Sequence, residues 1–196
     1  MKIKIVFLFF ICSLVVNGQN CLHKNLSKDF NFKIELQRIK DAECKISLSI
    51  INKHTQAIQS INFDSESIFE KDFKDCSTVR SYTMSIRNKL PGNDNDFGDL
   101  IIADYNFDGK EDFAIKKDSG GNGGPLYSYY LQSDNSKFIF NEYLSNQVEF
   151  FPSIIDAKKE TLTTIVHANA YQDCKTVYKY DSKNKNWKVI NRTYVE

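Results

Sequence analysis

The sequence predicts an all-β protein, an antiparallel meander closing in a propeller-like or sandwich-like way, with at most one short helix. Three observations predict it. Apolar and polar residues alternate with period two across 31–52, short β-branched or aromatic runs recur from residue 100 onward, and Asn, Asp, Gly and Pro punctuate them. Many short strands at such spacing pack as sheets on sheets rather than around helices.

Taken in order, the chain opens on Met1 to Gly18, where Lys2 and Lys4 precede an apolar run from Ile5 to Val16 and small or polar residues follow. That is the layout of a secretory signal peptide, and the run is too short for a membrane span, which needs about 20 residues. The remainder, 19–196, is expected to form a single β-rich domain in the periplasm or outside the cell. Phe32, Ile34 and Leu36 alternate with polar residues, and after Asp41-Ala42-Glu43 the pattern resumes with Cys44, Ile46, Leu48 and Ile50. This is an antiparallel hairpin with one buried face. Runs at 57–63 and 80–87 are less regular, and only Asp64 to Lys74, with Ile68, Phe69 and Phe73, has helix-like spacing. Residues 91–98 form a Gly/Asn/Asp loop. Strands are expected at 100–103, 113–115, 126–131, 137–140, 162–167, 175–180 and 187–194.

Composition excludes several function classes. Twenty-six Lys and Arg nearly balance 25 Asp and Glu, and loss of residues 1–18 moves the formal charge only from +1 to −1. No net field recruits nucleic acid or an anionic membrane. Removal of the same segment leaves Cys21, Cys44, Cys76 and Cys174 of the five cysteines. An even number in an oxidising compartment points to two disulfides of open connectivity, with buried free thiols as the alternative; Cys-x-x-Cys spacing for zinc is absent. The three histidines, His23, His54 and His167, stand in no nucleophile motif. No carboxylate spacing fixes a glycosidase pair, and the glycine-rich stretch lacks the lysine and hydroxyl of a phosphate cradle. An enzyme is not expected.

The most specific motif is Asp104-Tyr-Asn106-Phe-Asp108-Gly109-Lys110-Glu-Asp112. Oxygen side chains fall at loop positions one, three, five and nine, with glycine at six and the Lys110 carbonyl at seven, as a calcium ion with six to eight oxygen ligands requires. Position twelve, where an EF-hand has a bidentate glutamate, is Ile115, and both flanks look like strands. The expectation is a strand-loop-strand calcium site made by Asp104, Asn106, Asp108, Lys110 and Asp112. Calcium would be structural, because three crowded aspartates repel one another without a cation. An ordinary Asn/Asp/Gly turn is the competing reading.

At this loop the sequence resembles a family. Leu100 to Ile115, the Ser-Gly-Gly stretch after it, Tyr127-Ser-Tyr-Tyr130 and Phe138 to Leu144 are similar to bacterial periplasmic proteins with an FG-GAP-like calcium loop. That group is related to lysozyme inhibitors and to immunity proteins against peptidoglycan hydrolases. The resemblance implies a propeller-like sheet arrangement, structural calcium, and a loop inserted into the cleft of a lysozyme-type hydrolase. It assigns the partner-binding loop to Ser119, Gly120 and Tyr127, although the spacing from Ser119-Gly120 to Tyr127 is longer than in the related inhibitors. A flexible solvent loop is the alternative there, and a secreted calcium-dependent adhesion or envelope-associated module is the alternative for the whole protein.

Overall fold

The computed structural model describes residues 19–74, 79–81, 88–89 and 95–196. Residues 1–18, read above as an export signal, Cys76, the run 82–87 and residues 91–94 of the loop 91–98 lie outside the described residues. The chain is all-β, as the alternation predicts.

Three sheets are stacked. The first is a meander of β1 (Gln19–His23), β2 (Phe30–Lys40), β3 (Glu43–Asn52) and β4 (Ile58–Ser65). Next in the chain come β5 (Val79–Ser81) and β6 (Asn88–Lys89). The middle sheet is a second meander, β7 (Leu100–Ala103), β8 (Asp112–Gly121), β9 (Gly124–Gln132) and β10 (Phe138–Phe140), extended by β5, which runs parallel to β7. The third is β11 (Ile154–Asp156), β12 (Thr161–His167), β13 (Asp173–Asp181) and β14 (Asn186–Val195), with β6 antiparallel to β11.

The hairpin read from 31–52 is present. Phe30, Phe32, Ile34 and Leu36 on β2 and Cys44, Ile46, Leu48 and Ile50 on β3 are buried, and the break falls at Asp41, whose φ is 47°. These eight residues pack against Leu100, Ile102, Phe113, Ile115 and Phe138 of the middle sheet. The opposite face of the middle sheet sends Ile101, Ala103, Ala114, Tyr127 and Tyr129 into a second core with Ile155, Leu162, Tyr178, Tyr180 and Trp187 of the third. Consecutive residues of β7 therefore enter different cores, which is why Leu100 to Ala103 is an unbroken apolar run rather than an alternation.

The helix expected at 64–74 does not form. β4 continues to Ser65 and the rest is loop and turn. The backbone carbonyls are taken instead by Arg38, whose guanidinium donates to Ile68, Phe69 and Asp72 at 2.7–3.0 Å. Ile68 and Phe73 are buried in the first core, so the apolar spacing reflects two anchors of a loop. Among the described residues the only helical piece is a short turn ending in the π-turn Leu144–Val148.

The two-disulfide expectation is also corrected. Cys44 and Cys174 are free thiols, because Cys44 sits in the core between the first and middle sheets while Cys174 lies on β13 of the third. The middle sheet separates them. Cys21 is disulfide-bonded.

Phe113 ties the first core together, with ring centroids 4.8 Å from Tyr130, 5.0 Å from Phe138 and 6.0 Å from Phe32. Phe113→Ala is expected to cost about 3–5 kcal/mol in urea unfolding, because the rigid sheets on either side cannot close the cavity.

Candidate metal centre

The nine-residue loop from Asp104 to Asp112 joins β7 to β8. Its aromatic residues turn inward, as the alternate spacing predicts: Tyr105 is fully buried edge-on to Tyr129 and Phe151, and Phe107 packs on Trp187 at 6.2 Å. The intervening polar residues are thereby held on the loop's inside. Gly109 makes the sharp turn at φ 83°. Phe107 also has positive φ, 61°, a conformation the motif does not announce.

The carboxylates organise the backbone. Asp104 accepts N–H groups from Asp108 (3.2 Å) and Gly109 (2.6 Å), Asp108 accepts from Lys110 (2.9 Å), and Asn106 bonds the Asp108 side chain and backbone. Asp112 accepts from Tyr105 and from Gln132 on β9. Glu111 takes the Ser27 hydroxyl, which itself caps the start of β2. Through Ser27, Gln132 and Trp187 the loop thus touches all three sheets.

Burial pushes the Asp104 carboxyl up to about 6, with the charge of Asp108 adding to the rise against the N–H bonds from Gly109 and its neighbours. Burial raises Asp112 well above the usual carboxylate range, helped by the charges of Asp104 and Asp108. The nearest cation, Lys110, lies 3.8 Å from Asp108 but only 2.5 Å from the exposed Asp134. Two buried carboxyls therefore share a loop whose own lysine, Lys110, bonds the exposed Asp134 instead, a donor set that fits a hard divalent cation. Among the described residues no three His, Cys, Asp or Glu side chains converge as a metal cluster, so a cation here would draw on Asn106 and the Lys110 carbonyl as well.

The expected partner-binding residues have other tasks. Ser119 is buried, donates its hydroxyl to Asp72 and accepts the Phe69 N–H. Tyr127 has no exposed surface and donates to the Gly98 carbonyl at 2.9 Å. The stretch 118–125 is not a long loop, since β8 and β9 run to Gly121 and from Gly124, leaving Asn122-Gly123 as the turn. At Gly120, φ 69°, a Cβ would meet the Gly124 carbonyl oxygen at 1.9 Å, so its freedom serves the hairpin's own close approach. Only the tip, Gly121 and Asn122, is exposed. It lines a groove of about 500 Å³ with His167, Ala168, Asn169 and Ala170.

One cluster has no sequence signature. Lys116, fully buried on β8, donates to Asp72 at 2.8 Å and pairs with Asp96 and Asp99, each at 3.0 Å. Burial alone would lower its pKa, but the carboxylates of Asp99, Asp72 and Asp96 outweigh that and hold it up. In sequence these residues are scattered over 44 positions, and period two alone would have made Lys116 a surface lysine. Of the histidines, His54 pairs with Asp29 and His167 with Asp173 at exposed sites.

The chain matches no family model, no curated protein and no solved structure. No helix among the described residues is long and apolar enough to cross a membrane.

Two outcomes test this geometry. Without divalent cations, the folded state retains a proton on Asp104 that the unfolded chain, with an ordinary carboxylate pKa of about 3.9, has released. The contribution of Asp104 to stability is therefore fully present below about pH 4 and is lost as pH rises through about 6. Calcium at pH 7.5 should raise the melting temperature and flatten that fall; in Asp108→Ala both effects should vanish. Lys116→Ala, which takes the buried ammonium away from Asp72, Asp96 and Asp99, should cost about 3–5 kcal/mol in chemical denaturation.

Proposed function

We propose that the protein is an exported, calcium-braced binding protein that inhibits a lysozyme-type peptidoglycan hydrolase, in an immunity or defence role. The observation that carries the reading is the loop from Asp104 to Asp112, whose buried carboxylates organise a turn between β7 and β8 and resemble the calcium loop of the periplasmic inhibitor group. Calcium would be held by Asp104, Asn106, Asp108, the Lys110 carbonyl and Asp112, and its chemistry is charge neutralisation rather than catalysis.

The contact surface in this reading is not Ser119 and Tyr127, whose hydroxyls are already used inside the fold. It is the tip Gly121-Asn122 together with the β12–β13 turn across the groove. Tyr171, 86% exposed, stands on that turn, which is closed by Ala168 N–H to Gln172 O at 2.8 Å and by Tyr171 N–H to the Asn169 side chain at 2.9 Å. An exposed aromatic on a hydrogen-bonded turn, beside amide groups, suits an anchor in a hydrolase cleft.

The adhesion reading draws on a second groove of about 510 Å³ next to the loop, lined among others by Asn106, Asp108, Ile139 and Phe140. A peptidoglycan-turbidity assay with a panel of lysozymes and lytic effectors separates the two. The inhibitor reading expects inhibition that falls about tenfold or more in Tyr171→Ala and survives in Tyr127→Phe. Absence of inhibition across the panel, with calcium-dependent binding to intact cell envelopes, would establish the adhesion module instead.

A further inference from the structure

Every open sheet has edges, and an edge strand displays unpaired N–H and C=O groups that another strand can use. Most edges of this molecule are short or occupied. β5, β6 and β10 have three, two and three residues, and the Gln59 side chain both donates to and accepts from the backbone of Phe138 on β10. β4 has a polar outer surface with one exposed large apolar residue, Ile58. β14 is different. It is ten residues long, ends the third sheet, and among the described residues pairs its backbone only with β13. It carries Val189, Ile190, Tyr194 and Val195 at 43–62% exposure, four of the eleven exposed large apolar residues among the described residues.

The register with β13 shows which side chains share a face. The ladder slips between Val177 and Tyr178, leaving Ile190 as a bulge. Beyond it, Arg192 lies opposite Thr176 and Tyr194 opposite Cys174, while Asn191, Thr193 and Val195 lie opposite Val177, Lys175 and Asp173. From Asn191 on, the strand is regular, with Arg192 and Tyr194 on one face and Asn191, Thr193 and Val195 on the other.

We propose that this segment pairs with its own counterpart in a second copy of the chain, antiparallel about a two-fold axis at Thr193, to make a sheet continuous across two molecules. With that axis, Thr193 meets Thr193, Arg192 meets Tyr194 twice, and Asn191 meets Val195 twice. Faces match in every pair. No like charges are opposed, and each guanidinium reaches a tyrosine ring across the strands. Moving the axis by one residue, to Arg192, would set two guanidiniums against each other, so the charge pattern itself selects against that register. A two-fold contact of this kind requires one patch to be complementary to itself, which the segment satisfies. The contact does not involve the Asp104–Asp112 loop and stands apart from the hydrolase reading.

The test is sedimentation velocity of the purified protein from low to high micromolar concentration, with and without calcium. The wild type is expected to pass from monomer to a species of doubled mass, and Thr193→Lys, which opposes two lysines on the axis at an exposed position, is expected to remain monomeric with an unchanged melting temperature. Val189→Thr lies before the bulge, outside the paired segment, and should dimerise like wild type. A wild type that stays monomeric throughout, a Thr193→Lys variant that dimerises normally, or loss of the dimer in Val189→Thr would each overturn the proposal; so would capture of a heterologous strand by β14 in a wild type that never self-associates.

Discussion

The rest of the structure depends on the middle sheet being buried on both faces. Leu100, Ile102, Phe113 and Ile115 face one core while Ile101, Ala103 and Ala114 face the other, so neither flanking sheet can be removed without exposing an apolar surface. Burial at about 25 cal/mol per Å² makes that exposure costly enough to hold three meanders together without a helix. Sheets that were each only half-buried would have no such reason to stack.

Double burial also explains where polar chemistry collects. A strand with two apolar faces leaves polar groups only its ends, and the ends of β7 and β8 carry the molecule's concentrated charge. At one end, Asp104 and Asp112 close the turn between the strands, and the turn reaches the start of β2 through Glu111 and Ser27, β9 through Asp112 and Gln132, and β14 through Phe107 and Trp187. Toward the other, Asp99 and Lys116 join Asp72 and Asp96 in a buried network. The first has an excess of carboxylate that suits a bound cation; the second contains its own. A cation at the first would work by relieving repulsion where three sheets meet, so its effect would spread well beyond the loop.

The hairpin β8–β9 shows how similar residues can serve opposite ends. Four glycines between Asp118 and Pro125 look like freedom to approach a partner, yet Gly120 uses its positive φ to let the Gly124 carbonyl pass, and a Cβ on Gly123 would meet the Phe150 ring at 2.9 Å. The flexibility is consumed in building the hairpin, of which only Gly121 and Asn122 at the tip remain exposed.

By itself the sequence determined the strands and the turn chemistry, because period-two burial and the Asp-x-Asn-x-Asp-Gly spacing are local. The hairpin 31–52, the strand positions from 100 onward and the inward turn of Tyr105 and Phe107 were all legible for that reason. β11 was not, since three residues carry too little pattern. Tertiary structure alone decided what long-range contacts decide. Arg38 captured the carbonyls of 68–72 and turned helix-like spacing into a loop, the middle sheet kept Cys44 and Cys174 apart, and Ser119 and Tyr127 went inward because Asp72 and the Gly98 carbonyl awaited their hydroxyls. Lys116 is the clearest instance: a lysine's place is ordinarily water, and only the convergence of three distant aspartates makes its burial favourable.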